Sequence, residues 1–142
     1  MTPRPMSIVR IVIAEDFAAF RRAICSILEK GEDLEVVCEV GDGRDAVQKS
    51  EELKPELILL DIGLPTLNGL RAAREIRRVA PETKIIFVSQ ESSPDVVQEA
   101  LALGANGYIA KARIGSDLLI AIDEVLQGRR FVSSNLKTDR PS

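Results

Sequence analysis

Residues 57–69 read LILLDIGLPTLNG. Four apolar residues follow Pro55, run straight into Asp61, and give way to a loop marked by Gly63, Pro65, Asn68 and Gly69. A short apolar run bounded by turn formers is the signature of a strand. Four further runs rich in β-branched residues lie on either side: Ile8 to Ala14, Leu34 to Val40, Lys84 to Val88 and Gly107 to Ala110. The segments between them carry apolar residues at helical spacing, such as Phe20, Ile24, Ile27 and Leu28 in the first and Leu118, Ile122 and Val125 in the last.

The rhythm is (βα)₅, which predicts a doubly wound α/β fold: a five-stranded parallel sheet with right-handed crossovers, helices on both faces, and strands one and three inside it. Breaks support the same division. Gly31 is expected to end the first helix, Pro81 to follow the third, Gly104 and Gly107 to bracket the turn into strand five, and Gly128 to close the last helix. One domain over residues 8–127 is expected. Residues 1–7 and 128–142 read as tails, because the pattern stops and polar residues with Pro141 take over.

Composition narrows the function. The chain has 142 residues, 45% hydrophobic and 29% charged, enough for one core. No apolar stretch of about 18 residues exists and the first ten residues lack a signal core, so neither a membrane span nor secretion is expected, and the cytoplasm is the expected location. Net charge is −3 with Lys and Arg scattered, which speaks against nucleic-acid binding by this chain. Cys25 and Cys38 lack CxxC spacing and read as buried reduced thiols. The chain contains no histidine, which removes histidine triads, histidine metal sites and a phosphohistidine-carrier role.

Open parallel sheets bind ligands outside the carboxyl ends of their strands. Strand one ends in Glu15 and Asp16, strand three in Asp61, strand four in Ser89 and strand five in Lys111. Three carboxylates crowded on one rim repel, by about 4 kcal/mol for a pair near 4 Å at an effective dielectric near 20. Mg²⁺ is the natural counterweight, a hard cation that takes carboxylates, water and phosphate oxygens, with Lys111 as a second positive charge. An Asp held in line with a metal-bound phosphoryl group can act as nucleophile. A single acid at such a turn is more simply a helix cap. Five such groups at the ends of four strands are not.

Glu15-Asp16, then Asp61-Ile62-Gly63-Leu64-Pro65 with Asn68-Gly69, then Ser89, Tyr108 and Lys111 closely resemble the receiver domain of two-component response regulators, over about Ile8 to Gln127. That resemblance implies the flavodoxin-like strand order 2-1-3-4-5 and a phosphoacceptor role for Asp61. It implies Mg²⁺ (or Mn²⁺) held by Asp16 directly, by Glu15 mainly through water, by Asp61, and by the backbone carbonyl of Gly63. Ser89 matches the switch hydroxyl, Tyr108 the aromatic whose orientation reports activation, and Lys111 the lysine that pairs with the phosphoryl group. Pro65 and Gly69 match the loop into helix three. A sensor histidine kinase is the implied donor, docking on helix one, and a homodimer the implied product of phosphorylation. No enzyme acting on outside substrates is implied.

Residues 61–69 look particularly like the NarL/FixJ-type branch, and Phe131-Val132-Ser133-Ser134 is similar to the linker that precedes its helix-turn-helix module. The chain thus reads as a stand-alone receiver or as the receiver portion of a DNA-binding regulator. Two positions depart from the pattern. Gln90 stands where a small residue is usual, and Ala112 where a proline in a cis peptide often follows the lysine. A cis bond before a non-proline costs about 2.5 to 4 kcal/mol, so that linkage is strained or differently arranged. A haloacid-dehalogenase-type phosphohydrolase also uses a nucleophilic Asp with Mg²⁺, but needs an acid two residues on, where Gly63 cannot transfer a proton. A nucleotide-binding reading lacks its glycine-rich turn after strand one.

Overall fold

The computed structural model describes residues 7–91, 93–134 and 136. The chain alternates β1 (Val9–Ala14), α1 (Ala18–Leu28), β2 (Leu34–Val40), α2 (Gly43–Leu53), β3 (Leu57–Leu60) and α3 (Gly69–Val79). It continues through β4 (Lys84–Ser89), α4 (Pro94–Ala102), β5 (Gly107–Ala110), a 3₁₀ turn (Lys111–Arg113), α5 (Ile114–Leu126) and β6 (Phe131–Val132). All the strands pair in parallel in the order β2-β1-β3-β4-β5-β6. The doubly wound α/β expectation and its 2-1-3-4-5 order therefore hold, with one strand added.

Side-chain alternation along the strands sorts the core into two layers. Val12, Ile58, Leu60, Ile85 and Phe87 meet α2, α3 and α4 through Ala46, Ala72, Ile76 and Val97. Ile11, Ile13, Leu57, Leu59 and Val88 meet α1 and α5 through Ile24, Leu28, Leu118 and Ile122. Every residue of β3 is buried, because helices cover both faces of the strand. Full burial of each large aliphatic side chain stabilises the fold by about 1.5–3 kcal/mol, so these two layers dominate its stability.

Caps set where helices begin. The Asp42 carboxylate accepts from Asp45 N at 2.8 Å, Asn68 Oδ1 from Arg71 N at 3.0 Å, and Ser93 Oγ from Val96 N at 3.3 Å ahead of Pro94. Two glycines let backbone approach backbone. A Cβ at Gly43 would lie 1.7 Å from Leu67 O, and one at Gly69 would lie 2.2 Å from Asp61 O, so α2 and α3 are seated directly against the loop that follows β3.

Two expectations are corrected. The segment after Gln127 is not a plain tail: Phe131 and Val132 pair with Gly107 and Tyr108, and Ser133 and Leu136 are buried. Two residues are too few to show an alternating pattern, so the strand is invisible to periodicity. The tails at 1–6 and 137–142 lie outside the described residues. As for Gly31, α1 ends at Leu28 and the Gly31 N–H closes the following turn by donating to Leu28 O at 3.0 Å, while the left-handed residue falls at Asp33 (φ 64°). Cys25 and Cys38 are free but half-buried rather than buried. Gly104 and Gly128 do take positive φ, 94° and 88°, as their places after helices require.

Candidate functional site

The carboxyl ends of β1, β3, β4 and β5 meet in one cleft of about 510 Å³, with Glu15, Asp16, Asp61, Ser89 and Lys111 in its wall and Gly63 at its rim. Asp61 continues β3, and its N–H donates to Ala14 O of β1 at 3.0 Å. Gly63 N–H donates to Asp61 Oδ1 at 3.2 Å, and Lys111 Nζ lies 3.4 Å from Asp61 Oδ2. Asp61 is 7% exposed, so one edge of its carboxylate faces the cleft while both oxygens are held.

Glu15 is buried and Asp16 exposed. Glu15 Oε2 accepts from Phe17 N at 3.0 Å. Glu15 Oε1 lies 2.9 Å from Lys111 Nζ yet receives no well-directed hydrogen bond, which leaves a buried carboxylate oxygen short of a partner. Oxygens of Glu15, Asp16 and Asp61 all lie within 4.8 Å of one another. Three negative charges thus face one ammonium, and this all-oxygen donor set, with Glu15 Oε1 held only by that ion pair, fits a hard divalent cation. Lys111 packs 4.7 Å from the centroid of the Phe20 ring, which fixes its stem. Burial alone would lower the Lys111 pKa, but the adjoining Glu15 and Asp61 carboxylates outweigh it, so the ammonium is held charged.

Ser89 Oγ is buried and accepts from Glu91 N at 2.9 Å. Tyr108 does not line the cleft. It is fully buried behind it, its ring 6.0 Å from that of Phe87, and its hydroxyl donates to Glu91 O at 2.8 Å. Burial pushes its pKa up to about 12. Glu91, which the sequence reading passed over, bonds Ser89 with its N–H and Tyr108 with its carbonyl. No side-chain signal could have marked it, because both contacts are main-chain. Gln90 is exposed at the cleft mouth. The peptide after Lys111 is trans, like every peptide among the described residues, and the chain resolves the missing proline by winding Lys111–Arg113 into a 3₁₀ turn.

The family profile of the response regulator receiver domain matches residues 11–123, and the chain belongs to that family. It therefore takes part in two-component signalling. Response regulators of the NarL and LuxR type are among the proteins it is similar to. The oxygen regulatory protein NreC of Staphylococcus haemolyticus is 37% identical over 131 residues, which are 92% of this chain and 60% of that protein. This chain thus spans about three fifths of the length of the curated relatives it matches. Among solved structures, a LuxR-family response regulator from Aurantimonas superposes with TM-score 0.87 at 28% identity, covering 92% of this chain and 93% of that one. The receiver domain of the response regulator NarL from Mycobacterium tuberculosis superposes with TM-score 0.82 at 27% identity, covering 87% and 100%. Among the described residues no helix is long and apolar enough to cross a membrane.

Proposed function

We propose that Asp61 is the phosphoacceptor of this receiver, taking a phosphoryl group from a histidine of a sensor kinase in the cytoplasm. The observation that carries this is the Asp61 carboxylate itself, fixed by Gly63 N–H and Lys111 at the bottom of an acidic, oxygen-rich cleft. An Asp61 oxygen forms the new P–O bond as the P–N bond of the donor breaks, and the imidazole leaves with the electron pair. Glu15, Asp16, Asp61 and the Gly63 carbonyl would hold Mg²⁺ or Mn²⁺, which when bound neutralises charge on the phosphoryl oxygens. The Lys111 ammonium turns from Asp61 to the incoming phosphoryl group, and the Ser89 hydroxyl donates to another of its oxygens.

Phosphorylation replaces the single negative charge of the Asp61 carboxylate with a phosphoryl group of about −1.5 to −2 charges beside Ser89 and Lys111. Drawing Ser89 inward disturbs its bond to Glu91 N, and through Glu91 O the bond of Tyr108, so the change leaves by α4, β5 and α5. That face then binds a second copy or an output module. Gly63 offers no acid two residues after Asp61, so the domain turns over only its own acyl phosphate. The lengths of its relatives support a second reading, in which this receiver governs a helix-turn-helix DNA-binding module in a longer chain.

Intact mass after incubation with acetyl phosphate and Mg²⁺ tests the assignment. A gain of one phosphate in the wild type and none in Asp61→Asn is expected. Labelling that persists at another residue in the variant sinks it. Continuous consumption of acetyl phosphate with no phosphoprotein at any time would make the domain a hydrolase instead.

A further inference from the structure

A line of buried contacts runs from the site into β6. Ala110, just before Lys111, donates its N–H to Ser133 Oγ at 3.1 Å, and Ser133 Oγ donates to Asp117 Oδ2 at 2.7 Å. Asp117, in the first turn of α5, also accepts from Ser116 Oγ and from Arg113 Nε, both at 3.1 Å. Arg113 is the last residue of the turn that Lys111 begins. Ser133 N–H donates to Tyr108 O at 3.0 Å. Ser133 is 1% exposed and Asp117 5%. Ala110, just before the Lys111 turn, and Arg113, its last residue, are thus bonded to a two-residue network that the phosphoryl chemistry does not use. Burying a carboxylate is costly unless its hydrogen bonds are made, and here they converge on the segment that carries the lysine.

We propose that Ser133 and Asp117 are positioning residues for Lys111, and that through the same contacts the β6 segment senses whether Asp61 is phosphorylated. This rests on Asp61 being the acceptor. Any shift of the Lys111 backbone that follows its ammonium toward a phosphoryl group moves Ala110 N and Arg113, and these are the atoms Ser133 and Asp117 hold. The displacement therefore reaches residues 131–134, at the end of the described stretch that holds β6. Coupling between two sites is reciprocal, so loosening Ser133 changes the affinity for a phosphoryl group by the factor with which a phosphoryl group loosens Ser133.

The test uses the full chain as wild type, Ser133→Ala, Ser133→Thr and Thr83→Ala. Thr83 is a control of similar burial at the opposite end of the sheet, where its hydroxyl donates to Pro55 O at 2.8 Å. Affinity for beryllofluoride at fixed Mg²⁺ is measured by calorimetry, and amide exchange is followed with and without it. Ser133→Ala is expected to shift the Kd by at least about 5-fold, the lower end of usual coupling between sites. It should also abolish the beryllofluoride-dependent change in exchange that the wild type shows over residues 131–134. Ser133→Thr should restore both, while Thr83→Ala should lower the melting temperature and leave the Kd alone. Equal Kd values for Ser133→Ala and wild type, or an equal shift in Thr83→Ala, overturn the proposal. So does a wild type whose residues 131–134 do not respond. If Ser133→Ala shows no cooperative melt, Asp117→Asn carries the same expectations and the same refutation. A wild type that takes neither phosphate nor beryllofluoride overturns the assignment of Asp61, and this proposal with it.

Discussion

Asp61→Asn removes one of three carboxylates that share the cleft, and the structure sets the size of the effect. Unit charges at the 4.8 Å limit repel by about 3.5 kcal/mol at an effective dielectric near 20, and the Lys111–Asp61 pair at 3.4 Å attracts by about 5 kcal/mol. Asp61 faces two such repulsions against one attraction, a net cost of about 2 kcal/mol, which solvent around exposed Asp16 reduces to about 1 kcal/mol. An asparagine keeps an oxygen for Gly63 N–H, and Lys111 keeps its 2.9 Å pair with Glu15, so little else changes. In EDTA the variant should therefore melt about 3 °C above the wild type. Adding Mg²⁺ should close or reverse the gap, because the intact acid set gains more from binding the ion. Differential scanning calorimetry at low ionic strength decides the matter. A variant that melts at or below the wild-type temperature in EDTA would show that Lys111 already neutralises the cluster.

Three further outcomes are expected. Tyr108 is the only tyrosine, and its pKa of about 12 lies above that of an unfolded tyrosine, so the neutral hydroxyl stabilises the fold below about pH 10 and that contribution is lost as pH rises toward 12; ultraviolet titration should show no phenolate before alkaline unfolding begins, and a transition near 10 in folded protein would refute this. Burial would raise the Asp117 carboxyl, but hydrogen bonds from Ser133, Arg113 and Ser116 outweigh it and hold it below the ordinary range. Its contribution is thus full above that range and lost as pH falls, and the stability gap between wild type and Asp117→Asn, read by urea denaturation, should be constant near pH 7 and shrink below about pH 4; a gap that ignores pH would be contrary evidence. Gly69→Ala would force a Cβ to within 2.2 Å of Asp61 O, so the melting temperature should fall by about 10 °C, equivalent to about 3 kcal/mol, and a fall under about 2 °C would mean the loop yields freely.

Much of this arrangement was written in local patterns. The run Leu57–Leu60 ending at Asp61 located the central strand, because residues buried between two helical layers must all be apolar. The rim residues were legible because the parallel topology carries every strand end to one side. Contacts made by main-chain atoms left no such trace. Glu91 joins Ser89 to Tyr108 through its amide and carbonyl, where any residue type would serve. Ala112 alone indicated that a cis bond would be costly but not what path the chain takes instead, which is the trans 3₁₀ turn at Lys111–Arg113. Ser133 and Asp117 carried no periodic signal. They lie 16 positions apart, and a polar residue in a polar segment reveals its buried partner only once β6 is laid beside β5.

The sixth strand also settles how copies of this domain can meet. An open parallel sheet has two bare edges, and a bare edge is a template on which another chain can build. Here Phe131–Val132 lies along β5, and at two residues it is too short to offer a template of its own. At the far side β2 is longer, but Glu35 and Glu39 stand exposed along it, so a second copy laid edge to edge would place like charges side by side. Continuous sheet growth is therefore opposed at one end by brevity and at the other by charge, which leaves the helical surfaces as the ground on which a second copy could dock.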